Sequence, residues 1–173
     1  LIFSYFLMNK KDIATKLILD EFGVGFEDYQ RCKNTIYLAQ VKGICPNLFS
    51  FRWYVKGIYS SASDDFTTQL PDTYNEILSN EISKEIFDET AGWHLDKETS
   101  EKIKELKPLI NSAKDLGLLA STHFLIDRSR IKSKREILKT LKEFKHTIPD
   151  NFELEIISHL IQYDLVKEQE LTN

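Results

Sequence analysis

Residues 31–60 read RCKNTIYLAQVKGICPNLFSFRWYVKGIYS. Arg31 to Lys42 contains neither Pro nor Gly, and Cys32, Ile36, Ala39 and Gln40 fall near one face with Tyr37 beside it, which predicts a helix. Gly43 stops it, and Cys45-Pro46-Asn47 makes a turn. The period then changes from 3.6 to 2. Phe49, Phe51, Trp53 and Val55 alternate with Ser50, Arg52, Tyr54 and Lys56, the pattern of a half-buried strand with the aromatic set inward. Gly57 breaks that strand, and Tyr59-Ser60 leads into the next helix.

Working outward, the whole chain has 173 residues, enough for one sizeable core. With 6 Gly and 4 Pro it is too poor in turn formers for an all-β protein, and its abundant Lys, Glu, Leu and Ile favour helices. A net charge of −4 forces no partner. Cys32 and Cys45 form no CxxC motif, so a zinc ribbon or a thioredoxin-type centre is excluded, and two buried thiols are expected rather than a disulfide. Leu1 to Leu7 is apolar but too short to span a bilayer, and it lacks the basic start of a signal peptide. Met8 is the expected start. Residues 1–7 then read as an upstream extension, or else as an apolar arm packed on its own core or a neighbouring subunit.

Toward the N-terminus, Asn9 caps a helix from Lys10 to Phe22, ended by Gly23 and Gly25, and Glu27 to Lys42 is the second helix. Toward the C-terminus, Ser60 or Ser63 caps a helical region that Pro71 interrupts and that resumes through Tyr74, Ile77 and Leu78 to Phe87. Gly92-Trp93-His94 is a break. Asp96 or Thr99 starts the next helix, Pro108 kinks or restarts it, and its stripe continues to Gly117. Leu118 to Asp127 is nearly all apolar and reads as a buried central helix. Ser133 and Glu136 make a capping box for a helix carrying Ile137, Leu138, Leu141 and Phe144. Asp150 caps the last helix, with Phe152, Ile156, Ile157, Leu160, Ile161 and Leu165 facing in, and the polar tail frays.

The combination Lys33-x-x-x-Tyr37-x-Ala39-Gln40, then Phe51-x-x-Tyr54-x-x-Gly57-x-Tyr59-Ser60, resembles the YwgA-type bacterial proteins and, more distantly, the Panacea (SocA-like) antitoxin domain. The segment from Ile137 to Val166 looks like the C-terminal helical hairpin of the YwgA type. Ile58 stands where that family carries proline, which leaves the turn looser. The resemblance implies a helical interaction domain, antitoxin-like or linked to defence, with no established enzyme activity.

Read from the residues themselves, Gln40, Tyr54, Tyr59 and Ser60 line a recess where helix meets strand. It is either a recognition site for a partner segment or a set of polar groups satisfying local backbone. His123 lies four residues from Asp127 on one helix, a spacing that allows a His–carboxylate pair and gives a hydrolase its only foothold. GxSxG, Walker A and dinucleotide motifs are absent, as are HxxxH and HExxH. Acids crowd 61–101 and bases crowd 128–145. The basic run makes nucleic-acid binding the main rival, although Asp150, Glu153, Glu155 and Asp164 make the last helix a poor recognition helix.

The expected fold is mainly α, one helical domain over 9–168 with a short β-hairpin or ribbon near 48–57, an extension at 1–8 and a polar tail at 169–173. The expected role is a non-enzymatic protein-interaction module, binding a toxin or assembly subunit through Lys33, Tyr37, Gln40, Tyr54, Gly57, Tyr59 and Ser60. The alternative is a nucleic-acid-binding regulator using Arg128, Arg130, Lys132, Lys134 and Arg135. No catalytic residue, metal or cofactor is expected, nor any membrane contact. A cytoplasmic location and self-association into a homo-oligomer complete the expectation.

Overall fold

A computed structural model describes residues 10–25, 27–54, 57–60, 96–144 and 147–173. It is mainly helical, with one two-stranded antiparallel hairpin. The expectations placed on Ser61 to Leu95, on residues 1–9 and on Val55 lie outside the described residues.

The core is built around α4, Leu116–Asp127, buried from Leu118 to Ile126 on every face. A helix apolar all round has to sit between other elements. α2 (Tyr29–Val41), α5 (Lys134–Phe144), the hairpin and the π-turn Glu153–Ile157 pack around it. α1 (Lys10–Phe22) and α3 (Lys97–Ser112) cover the far side of α2. That enclosure corrects the one-faced reading of α2: every residue from Cys32 to Ala39 is buried, polar Lys33, Asn34 and Thr35 included.

The termini of α2 show how local chemistry positions the hairpin. Asp28 caps its start, accepting from the Arg31 backbone N–H at 3.0 Å. At its end, Ile44 N–H reaches Ala39 carbonyl (2.9 Å) and Gly43 N–H reaches Gln40 carbonyl (3.0 Å), with Gly43 at φ 85. This is the Schellman arrangement, and Ile44 is fully buried beneath it. The turn follows as expected, closed by Leu48 N–H to Cys45 carbonyl at 3.2 Å.

β1 (Arg52–Tyr54) pairs with β2 (Gly57–Tyr59) in the register Arg52 to Tyr59, Trp53 to Ile58 and Tyr54 to Gly57. The period-2 reading holds: Trp53 is half-buried while Arg52 and Tyr54 are exposed. The ladder is shorter than the alternation suggested, because the backbone at Phe49 is taken by the Gln40 side chain.

Other expectations need correction. Pro108 does not restart α3, which runs from Lys97 to Ser112 through it. Lys104 and Pro108 are both exposed, so the carbonyl that loses its partner faces water. The stripe does not continue to Gly117: α3 ends at Ser112, and Asp115 caps α4 by accepting from Leu118 N–H at 2.7 Å. Asp150 makes no capping bond among the described residues, and the position before the π-turn is Phe152, with no side-chain cap. The last helix opens instead with the π-turn, where the Ser158 backbone and hydroxyl both reach the Glu153 carbonyl, before α6 (Ser158–Gln162). The tail does not fray. Thr172 bridges Ser133, donating to Lys132 carbonyl (2.8 Å) and accepting from Lys134 N–H (2.9 Å), so the C-terminus docks at the start of α5. Phe152, Ile156, Ile157, Leu160 and Leu165 are buried as the sequence indicated.

Candidate functional site

The residues expected to form one site occupy separate places. Tyr37 and Gln40 line a cavity of about 690 Å³ between α2, the 46–51 loop and the end of α4. Tyr54 and Tyr59 lie on the outer face of the hairpin. Lys33 is buried in α2 with its Nζ 5.3 Å from the centre of the Tyr29 ring, and Ser60 is buried just after β2.

In the cavity, Gln40 clamps the turn. Its Nε2 donates to Pro46 carbonyl (3.1 Å) and Phe49 carbonyl (3.0 Å), and its Oε1 accepts from Phe49 N–H (3.0 Å). All three bonds serve the local backbone, the second of the two roles the sequence left open for it.

Behind Gln40, Tyr37 Oη lies 2.8 Å from His123 Nδ1. Burial pushes the Tyr37 phenol well above its ordinary value, so it stays protonated. Burial also lowers His123 from 6.5 to about 4, against the opposing pull of the Asp127 carboxylate and a hydrogen bond to the Leu165 backbone. The protonated phenol and the neutral imidazole share one hydrogen bond inside the core. His123 therefore pairs with Tyr37 across the core and not with Asp127, which corrects the i, i+4 pairing. Asp127 turns to the mouth of the cavity, its Oδ2 3.2 Å from Arg128 Nε.

The hairpin face is built from its register. Trp53 and Ile58 point inward together, Trp53 lying 6.0 Å from the Phe124 ring and 5.7 Å from that of Phe144. Opposite Tyr54 stands Gly57 at φ 118, a conformation L side chains avoid. With no side chain there, the Tyr54 ring leans to the diagonal Tyr59, centre to centre 5.4 Å. Tyr54 is 63 % exposed, and it and Leu154 are the large apolar side chains left exposed among the described residues.

The basic segment is split by its ion pairs. Lys132 meets Glu170 (3.5 Å), Lys134 meets Glu153 (3.2 Å), and Arg128 meets Asp127. Arg130 sits at φ 58 in the turn leaving α4. Arg135, Lys139 and Lys142 line a shallow groove along α5 and have no ion pair among the described residues.

Cys32 and Cys45 are free thiols, each pushed by burial up to about 12, with Asp28 and Glu27 adding to the rise at Cys32. Among the described residues no group of three His, Cys, Asp or Glu side chains is placed to share a metal ion, and no helix is long and apolar enough to cross a membrane. Compared with protein-family models, curated proteins and solved structures, the chain matches none. The Tyr37–His123 bond joins residues 86 apart. The only signal of it in the sequence is a histidine standing in a nearly all-apolar helix.

Proposed function

We propose that this chain is a non-enzymatic protein-interaction module, antitoxin-like in role, that grips a protein partner with the outer face of its hairpin. The observation that carries the reading is the exposed Tyr54 packed beside the half-buried Tyr59, held on a hairpin whose inner face is clamped to α4 and α5 by Trp53. Arg52 lies opposite Tyr59 in the register and adds a cation to the same face. Aromatic and Arg side chains on a rigid support are what interface anchors are made of, because they bury much area for little lost side-chain entropy. The resemblance to YwgA-type and Panacea (SocA-like) proteins, which rests on Tyr54, Gly57 and Tyr59 among other residues, points the same way. A toxin or an assembly subunit in the cytoplasm is the partner it implies.

A photo-crosslinking residue at Arg52 identifies what the face touches in the native host. The partner, purified and recombined with the wild-type chain, should bind, and Tyr54→Ala with Tyr59→Ala should weaken that binding by at least about tenfold. Unchanged affinity in the folded double variant would remove the hairpin from the interface.

A second reading, nucleic-acid binding, draws on Arg135, Lys139 and Lys142 along α5, which have no ion pair among the described residues. Glu136 and Glu143 lie in the same groove and oppose it. Its test is duplex binding at low salt. Affinity that falls steeply as salt rises, and that disappears when the three bases become Gln, would favour it over the hairpin reading.

A further inference from the structure

We propose that the cavity beside Tyr37 binds a small zwitterion with an aromatic or branched apolar side chain, the α-amino acid class, Asp127 taking the ammonium and Arg128 the carboxylate. The inference does not rest on the hairpin reading, since the two places share no residue.

The wall carries an aromatic and apolar patch, in which Phe51 meets Tyr37 edge-on at 5.2 Å and Phe124 and Leu165 continue the surface, beside the polar side chains of Gln40, Asn47 and Ser50. Of the polar groups within that wall, the Tyr37 hydroxyl is bonded to His123 and the Gln40 amide is committed to the turn, while Asn47 and Ser50 are neutral; Asp127 and Arg128 are the charged side chains of the lining. Recognition of charge therefore falls to the mouth. There Asp127 and Arg128 stand side by side through one contact, Nε to Oδ2 at 3.2 Å. The Nη groups of Arg128 and Oδ1 of Asp127 have no other partner among the described residues.

Charge balance selects the ligand class. A phosphate or simple carboxylate would meet Asp127 as well as Arg128, and a simple amine would meet Arg128 as well as Asp127. A molecule bearing both charges on one carbon satisfies both, because the two protein groups stand side by side. Both side chains are largely solvent-exposed, 72 % for Arg128 and 47 % for Asp127, so their mutual pairing is weak and opens readily to a ligand. The volume of about 690 Å³ is within the range of small-molecule sites, and it leaves room for the largest natural side chains.

Calorimetric titration with L-leucine, L-phenylalanine and L-tryptophan tests this, beside 3-phenylpropionate and phenethylamine, which each lack one charge. At least one amino acid should bind, with both half-ligands weaker by on the order of 10–100-fold, the loss of one charge-assisted contact. Arg128→Gln and Asp127→Asn should each weaken the amino acid by a similar factor while the thermal transition stays in place, and Lys104→Gln on α3 should change nothing. The proposal is overturned if no amino acid binds at millimolar concentration. It is equally overturned if 3-phenylpropionate or phenethylamine binds as tightly as phenylalanine, or if neither mouth variant weakens binding.

Discussion

Acidification probes the Tyr37–His123 pair directly. His123 is 4 % exposed, and burial, more than any charge near it, lowers its folded value from 6.5 to about 4. Above pH 6.5 the imidazole is neutral in both folded and unfolded chains, and the stability tied to it is fully present. As pH falls from 6.5 toward 4, the unfolded chain takes up a proton that the folded chain refuses, so stability is lost. Below about 4 both states are protonated and the loss is complete. At about 1.4 kcal/mol for each pH unit separating the two values, the full loss amounts to about 3 kcal/mol, most of it reached by about pH 4.5. Carboxylates elsewhere also titrate in this window, so wild type alone cannot isolate the effect. His123→Gln removes the titration and keeps an amide that can bond the Tyr37 hydroxyl. Urea unfolding of both proteins at about pH 7.5 and about pH 4.5 yields a double difference in which the common carboxylates cancel. We expect wild type to lose about 2–3 kcal/mol more than the variant over that interval. A double difference below about 0.5 kcal/mol would mean that His123 reaches water in the folded chain, and the buried neutral imidazole would be wrong.

Three further substitutions test the framework around the site. Trp53→Ala should destabilise by about 2 kcal/mol in urea unfolding, toward the low end for a large aromatic because the ring is only half-buried; a loss under about 0.5 kcal/mol would unclamp the hairpin from α4 and α5. Gln40→Ala removes all three bonds to the 46–49 turn and should cost about 2 kcal/mol while speeding amide exchange at Phe49, and an unchanged exchange rate there would refute the clamp. Thr35 is fully buried and its hydroxyl has no hydrogen-bond partner among the described residues, so Thr35→Val should be neutral or raise stability by up to about 1 kcal/mol, whereas a loss above about 1 kcal/mol would reveal a partner for that hydroxyl.

Much of the architecture is legible in residue order because its causes are local. The Gly23 stop after Lys10–Phe22, the nearly all-apolar run in α4, the Ser133 hydroxyl at the start of α5 and the change to period 2 at Phe49 each depend on neighbours within a few positions. Gly43 likewise announces the end of α2, because only its own backbone conformation is at issue. What residue order could not convey is which neighbours surround an element. α2 reads as one-faced until α1, α3 and α4 enclose it, Pro108 reads as a break until Lys104 is found facing water, and the polar tail reads as frayed until Ser133 offers it a bridge.

The candidate site divides along the same line. The outward tyrosines of the hairpin follow from strand alternation and the glycine opposite Tyr54, so the sequence by itself determined that Tyr54 would be presented to solvent. Tertiary structure decided the cavity. His123 has Asp127 within one turn of its own helix, yet it bonds a phenol 86 residues away, because α4 is buried all round and turns Asp127 outward to Arg128. A hydrogen bond across a core depends on how two helices rotate against each other as they pack, and that rotation is set by the summed burial of every side chain between them. No spacing within either helix records it.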